Sequence, residues 1–176
     1  FICRNEERLE ATLGVLFGII EIYNINDFFV DGFLEAINDL KTEYYLPPYS
    51  PDKSPEKRFE DALARANRRI QTIINQSIEE VDLRQVSAVL GVAYGNKIFV
   101  SSLGKISGLF NRRKKSLEIM ILDILANNQN NQFKPSANEK IFSNLLSGEI
   151  GPNDSIIFIN EELSGLIPRH ELAEQT

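Results

Sequence analysis

The stretch that decides the fold is residues 86–112, VSAVLGVAYGNKIFVSSLGKISGLFNR. Apolar residues recur there with the two-residue period of a strand at Val86, Ala88, Leu90 and Val92, and a second apolar run contains Ile98, Val100 and Leu103. Gly95 and Asn96 lie between the two runs and tolerate the positive φ of a tight hairpin turn. Gly104 and Lys105 then reverse the chain before a third strand at residues 106–110. The sequence therefore predicts an antiparallel meander.

Two helices are predicted before this stretch. Asp27 is a plausible N-cap of the first, which runs to Tyr44 and carries apolar residues on one face. An acidic stripe lies on another face, and we interpret it as solvated rather than as a metal site; it contains Asp31, Glu35, Asp39 and Glu43. Ser54 caps the second helix, which begins at Pro55 and extends to about Glu80. This helix is interpreted as amphipathic and lying on the sheet, with a coiled-coil surface as the alternative.

The N-terminal part is predicted to contain a strand. Residues 4–10 are expected to form a polar crossing, and residues 12–22 a central strand. The run LGVLFGIIEI is apolar on both faces, so a buried helix remains the alternative. The proline-rich residues 45–55 form a stiff linker between the two predicted helices.

Several kinds of segment are predicted in the C-terminal part of the sequence. Residues 112–115 form a basic cluster that we interpret as solvated, and residues 117–125 are ambiguous between helix and strand. Residues 126–134 predict a loop, and Ser136 with Glu139 forms a capping box for a short helix that Gly148 ends. A strand at residues 155–160 and a terminal helix from Pro168 follow. That helix carries the only histidine, which cannot form a zinc site alone.

Composition restricts the class of protein. The 176 residues suffice for one domain with a proper core. The formal net charge of -6 argues against binding to nucleic acid. The single cysteine, Cys3, excludes an internal disulfide and fits a cytoplasmic setting. The start at Phe1 leads us to expect a segment of a longer protein, whose membrane anchor would have to lie outside it, since the apolar run 13–20 is shorter than the roughly 20 residues of a spanning helix.

Four motifs, in order along the chain, resemble those of the PPM-type metal-dependent serine/threonine phosphatases, including their sporulation-type members. They are RNEER at residues 4–8, LFGIIEIYNIND at 16–27, IFVSSLGKISGLFNR at 98–112 and GEIGPNDSIIFINEELSGLIPRHEL at 148–172. The resemblance implies an α+β fold, an α-β-β-α sandwich of two antiparallel sheets flanked by helices. It also implies that the two long helices run antiparallel on one sheet.

The acidic positions of that family are altered in this sequence. Glu7, Glu21 and Glu161 stand where the resemblance implies metal-binding aspartates. Ile22 and Glu162 replace the glycines that follow two of them, and Lys105 replaces a further aspartate. The final metal-binding aspartate of the family has no counterpart before Thr176. A glutamate is one methylene longer than an aspartate, and Mg²⁺ demands near-ideal octahedral geometry, so such a site would be mis-spaced.

Three hypotheses follow. The first is a degenerate phosphatase-like domain, a pseudophosphatase without cofactor, that acts as a regulatory module toward a protein partner or other domains of its own chain. The second is an active phosphatase in which Glu7, Glu21 and Glu161 hold Mg²⁺ or Mn²⁺. The third is an unrelated α+β domain. Under the first two we expect the three glutamates to lie together with Lys105 as a compensating charge.

Overall fold

Two antiparallel β-sheets form the centre of the protein in a computed structural model, which describes residues 2–3, 7–46, 53–112, 116–118 and 140–166. The helices and strands of these residues are β1 (Ile2–Cys3), α1 (Glu7–Leu13), β2 (Val15–Ile22), α2 (Asp27–Tyr45), α3 (Pro55–Gln76), β3 (Val86–Tyr94), β4 (Lys97–Leu103), β5 (Ile106–Arg112), β6 (Ser116–Glu118), β7 (Leu146–Glu149), β8 (Ser155–Asn160) and α4 (Glu161–Leu166). A 3₁₀ turn at Leu83–Gln85 precedes β3. The α+β class is as predicted.

Within the described residues the larger sheet has five strands in the order β1-β2-β3-β4-β7, and the smaller has three in the order β6-β5-β8. Every neighbouring pair is antiparallel. β2 and β3 pair from Val15 opposite Ala93 to Ile22 opposite Val86. The predicted hairpin is confirmed, because β3 and β4 pair across the Gly95 turn.

The third strand of the predicted meander belongs to the other sheet. In the described part of the chain β5 pairs with β6 and β8 rather than with β4. Gly104 permits this change of sheet: its φ is +75°, and a Cβ there would stand 2.3 Å from the backbone oxygen of Val86. The prediction of one continuous meander is therefore wrong at β5, because a two-residue period predicts a strand but not the sheet it joins.

Helices α2 and α3 cover one face of the five-stranded sheet. Their fully buried side chains share one core with those of β2 and β3, and they include Phe29, Phe33, Leu40, Tyr44, Phe59 and Ile70. Gly32 lets the two helices approach closely, since a Cβ there would stand 2.9 Å from the Cδ1 atom of Ile73. The prediction of two helices packed on one sheet is confirmed.

The acidic stripe of α2 faces α3. Arg65 pairs with Glu43 at 2.9 Å, and Arg69 pairs with Glu35 at 2.8 Å and also with Asp39. The order of these partners shows that α2 and α3 run antiparallel, as predicted. Because the side chains are partly exposed, each pair contributes about 0–1 kcal/mol. The stripe is thus partly exposed, in agreement with its interpretation as a solvated face, and three of its carboxylates also pair with arginines of α3.

The other face of the five-stranded sheet packs on the smaller sheet. Val89, Ile98, Val100 and Ile106 are buried there, and the ring of Phe17 stacks on that of Phe158 at a centroid separation of 6.2 Å. Phe17 belongs to β2 and Phe158 to β8, so the stack joins the two sheets. The apolar alternation of β2 thus serves two cores, one toward the helices and one between the sheets.

Helix α1 occupies the segment for which the sequence predicts a polar crossing and the start of a strand. The helix covers Glu7–Leu13, and β2 begins at Val15 rather than at residue 12. Gly14, with φ of +81°, separates the two elements in the left-handed conformation common after a helix. The predicted crossing and strand start are wrong here, since ERLEATL contains mainly good helix formers.

Two tyrosines of α2 hold this junction. The Tyr44 hydroxyl donates to the carbonyl of Leu13. The Tyr45 hydroxyl donates to the carbonyl of Gly14 at 3.1 Å and accepts from the backbone N–H of Leu16 at 2.9 Å. Buried backbone groups need hydrogen-bond partners, and the two tyrosine hydroxyls supply them for these three residues. The partners lie some 30 residues away, so the local pattern does not contain them.

The ends of the long helices are close to those predicted. Ser54 caps α3, whose first residue is Pro55, as predicted. Asn26 rather than Asp27 caps α2, and its side chain accepts from the N–H of Phe29. α3 ends at Gln76, four residues before the predicted end, and the backbone N–H of Ser77 closes its last turn.

The helix predicted before Gly148 is wrong. Phe142 is buried in the helix-side core, and both of its backbone groups bond to the side chain of Asn67, at 3.0 and 2.8 Å. Leu146–Glu149 then forms β7, which pairs with β4. Asn67 thus bonds the backbone of Phe142 outside any helix, and β4 bonds the backbone of β7. These long-range hydrogen bonds override the local apolar spacing that predicts a helix.

Several predictions concern residues outside the described part: the linker at 47–52, residues 113–115 of the basic cluster, the loop at 126–134, the Ser136 capping box and the helix from Pro168. Of the ambiguous segment 117–125, β6 includes Leu117 and Glu118 as strand. None of the helices described is both long and apolar enough to cross a membrane.

Candidate functional site

Several chain segments meet at one end of the two sheets, which we call the site end. β2 ends and β3 begins there, with Glu21 opposite Ser87. The turn at Gly104 packs against Ser87, since a Cβ on Gly104 would stand 2.9 Å from the Cα of Ser87. β8 ends beside the same turn, because Asn160 pairs with Ile106. The second motif of the sequence contains the end of β2. The sheet register therefore brings parts of the third and fourth motifs to this second motif.

Glu21 bonds to both sides of this junction. Its Oε2 accepts from the Nδ2 of Asn160 at 3.0 Å, and its Oε1 accepts from the hydroxyl of Tyr23. The Oδ1 of Asn160 in turn accepts from the backbone N–H of Leu163 at 2.9 Å, which caps α4. We call Tyr23, Glu21 and Asn160 the site triad. It links the end of β2 in one sheet to the end of β8 in the other.

The other predicted positions of the second and third motifs lie around the triad. Ile22 packs against the core under the helices, so its side chain leaves the site and joins the hydrophobic interior. Lys105 is exposed in the turn directly before Ile106. An extension of the β5–β8 register by one pair would place Lys105 opposite Glu161.

Glu161 is the first residue of α4, and Glu162 follows it with an exposed side chain. Glu7 is the first residue of α1, and this helix enters β2 at Val15. Glu21 lies six residues further along β2, about 20 Å at the usual rise of a strand. The structure thus brings Glu21, Lys105 and the Glu161–Glu162 backbone to one end of the sheets, whereas α1 joins β2 at the opposite end. The cluster of three glutamates stays a prediction.

The donors that the structure describes around Glu21 are one carboxylate, a tyrosine hydroxyl and an amide, which differ from the set of carboxylates that a pair of divalent cations prefers. Among the described side chains, no three of His, Cys, Asp and Glu lie together as metal ligands. Both oxygens of Glu21 accept hydrogen bonds from neutral groups. Asn160 cannot turn its oxygen toward a cation without losing the cap of α4. Mg²⁺ prefers carboxylate and water oxygens at about 2.0–2.1 Å, and an amide N–H₂ group offers no lone pair to it.

Two members of the triad are not among the residues predicted from the sequence. Asn160 stands between a strand and the helix after it, where asparagine is a preferred N-cap, so its position contained a signal for the helix start. Tyr23 follows Glu21 by two residues and thus shares its face of the chain. Neither signal predicts a bond to Glu21, because the Asn160 bond spans 139 residues of sequence.

Comparison with solved structures identifies the fold. PppA, a key regulatory component of T6SS in Pseudomonas aeruginosa, superposes with a TM-score of 0.58 at 17% identity over 94% of this chain and 72% of its own. The Mycobacterium tuberculosis serine/threonine phosphatase PstP/Ppp gives 0.55 at 11% identity over 90% and 84%. The catalytic domain of PstP in complex with 2 manganese ions gives 0.54 at 14% identity over 91% and 71%.

The sequence comparisons add no relative. No protein-family model matches the sequence, and no curated protein sequence matches it. The structural similarity shows that the chain has the PPM phosphatase fold, as its motifs predict. This shared fold agrees with the first two hypotheses rather than with the third.

Proposed function

We propose that this PPM-fold domain is a pseudophosphatase, a degenerate phosphatase that serves as a regulatory or protein-interaction module and needs no metal cofactor. One observation carries the proposal: both carboxylate oxygens of Glu21 are already bonded, one to Tyr23 and one to Asn160. In the second motif Glu21 stands where the family resemblance implies a metal-binding aspartate. This hydrogen-bond network supports a structural role for Glu21 in place of a metal-binding one.

The other altered positions support the same function. Phosphate ester hydrolysis with two metal ions needs one ion to activate water and both to neutralise the phosphoryl oxygens. Lys105 brings an ammonium group to the turn beside the end of β8, and such a group repels cations. Ile22 adds a side chain that packs into the core, where the resemblance implies a glycine. Of the two changes, Lys105 puts a cation in the turn where the resemblance implies an aspartate.

A regulatory role is consistent with one structural neighbour. PppA is named as a regulatory component, although its fold alone transfers no partner to this chain. We propose that the domain binds a protein partner or other domains of its own chain, that it acts as one domain in the cytoplasm, and that it contacts neither nucleic acid nor membrane. The net charge of -6 supports the exclusion of nucleic acid.

The test is a phosphatase assay on the purified 176-residue chain. We expect no turnover of para-nitrophenyl phosphate above the buffer rate, with or without Mn²⁺. Glu21→Ala should leave this result unchanged, and Glu60→Ala, on the exposed surface of α3, serves as the matched control. Turnover that requires Mn²⁺ and is lost in Glu21→Ala but not in Glu60→Ala would refute the proposal. It would instead establish an active phosphatase with Glu7, Glu21 and Glu161 as candidate ligands.

A further inference from the structure

The site end carries a concentration of large apolar side chains on the protein surface. Six of these side chains are exposed there: Ile19, Tyr23, Phe28, Ile78, Leu163 and Leu166. Ile78 is fully exposed, and Leu166 is 78% exposed. Single exposed apolar residues are ordinary, but a group of them at one end of a domain is typical of an interaction surface.

Hydrogen bonds and helix or strand spacing relate these residues, which come from four segments, to the site end. Leu166 follows Leu163 by three residues, so the two share one side of α4. The side chain of Asn160 joins Leu163 to Glu21, and Ile19 precedes Glu21 by two residues on the same face of β2. Tyr23 bonds to Glu21 through its hydroxyl, and its backbone N–H donates to Gln85 at 3.0 Å.

The start of α2 and the end of α3 belong to the same region. The cap of α2, Asn26, lies 3.4 Å from the hydroxyl oxygen of Ser77, directly before Ile78. Phe28 belongs to the first turn of α2, one residue after Asp27. We call the six side chains together the apolar rim.

Acidic residues outnumber basic ones in the segments that carry the apolar rim. The carboxylates of residues 19–28, 76–87 and 160–166 are Glu21, Asp27, Glu79, Glu80, Asp82, Glu161 and Glu162. The cations of these segments and of the turn at 103–106 are Arg84 and Lys105, and Arg84 pairs with Asp82 at 2.7 Å. The site end is therefore apolar and negatively charged, so its complement is an apolar surface that carries positive charge.

We infer that the apolar rim is a docking surface for a basic amphipathic helix of a protein partner, with apolar residues on one face and Lys or Arg beside them. This inference rests on the proposed interaction function and assigns it a site. An anionic membrane surface would be repelled by the carboxylates around the rim. A second copy of the chain would bring two acidic surfaces together, which opposes self-association through this end.

The binding test uses a fluorescein-labelled peptide of about 18 residues, or five helical turns, with leucine and lysine at helical spacing. A second peptide carries glutamate in place of lysine. Fluorescence anisotropy with the complete 176-residue chain should show saturable binding of the basic peptide, weaker at high salt, and none of the acidic peptide. Equal binding of both peptides, or no saturable binding, would overturn the inference.

The matched variants locate the surface. The double variant of Ile78→Ser and Leu166→Ser should weaken binding of the basic peptide about tenfold, a loss of about 1.4 kcal/mol. The double variant of Leu34→Ser and Leu46→Ser changes two leucines outside the apolar rim, which are 48% and 49% exposed, and should bind as the unsubstituted chain does. All four substitutions lie at exposed positions, and circular dichroism verifies that both variants are folded. Equal losses in the two variants would contradict a docking site at the rim.

Two further measurements separate the alternatives. Co-sedimentation of the chain with anionic phospholipid vesicles would overturn the inference in favour of a membrane surface. A dimer that Ile78→Ser dissociates in analytical ultracentrifugation would overturn it in favour of a second copy of the chain. The phosphatase assay decides the proposed function independently. Mn²⁺-dependent turnover together with peptide binding at the rim would refute the pseudophosphatase and leave the docking surface intact.

Discussion

Replacement of Asn160 by alanine removes the two hydrogen bonds by which this side chain joins the sheets. The bond to the N–H of Leu163 is an N-cap, whose loss costs about 1 kcal/mol. The bond to Glu21 is charge-assisted but partly exposed, so we assign it about 1 kcal/mol, below the usual range for such bonds. The expected loss of unfolding free energy is about 2 kcal/mol. For a chain of this length, that corresponds to a fall in Tm of about 4–8 °C.

The measurement is thermal and urea unfolding followed by circular dichroism, with Asn160→Asp as the matched variant. Aspartate keeps an acceptor for the cap of α4 but presents a carboxylate to Glu21, so we expect a loss of unfolding free energy at pH 7 that is at least as large as in Asn160→Ala. A change below about 0.5 kcal/mol in Asn160→Ala would refute the structural role of the site triad. A rise in Tm of the unsubstituted chain on addition of Mn²⁺ would refute the absence of a metal site, since a ligand that binds only the folded state stabilises it.

Two predictions concern the junction of α1 and β2. Tyr45→Phe should lower the unfolding free energy by about 1–3 kcal/mol in urea titration, because it leaves the buried N–H of Leu16 without its partner; an effect below about 0.5 kcal/mol would contradict this. Burial raises the pKa of the Tyr44 hydroxyl above its ordinary value of 10.0, and the neighbouring Tyr45 adds to the effect. The unfolded chain therefore loses this proton first, so stability should be complete below about pH 10 and decline above it. Tyr44→Phe should remove that part of the decline, and an unchanged alkaline slope would show that Tyr44 does not cause it.

The sequence by itself determined the features that depend on neighbouring residues. The hairpin at Gly95 follows from alternating apolar residues around a turn that tolerates positive φ. The start of α3 follows from a serine cap before a proline, because both act within the first turn of a helix. The order of the four motifs predicts the PPM fold through their resemblance to a known family, although no family model matches the sequence.

Only the tertiary structure decided where those elements go. β5 crosses to the second sheet because Gly104 turns the chain against Val86. Asn67 holds the backbone of Phe142 outside any helix, and Leu146–Glu149 forms a strand because it pairs with β4. The hydrogen bond between Asn160 and Glu21 is likewise decided only by the tertiary structure. Sequence spacing determines where apolar residues alternate along a strand and which residue can cap a helix, because both effects involve only residues that are close in sequence. The partner of a buried polar group is fixed by packing, which brings together residues that sequence spacing leaves far apart.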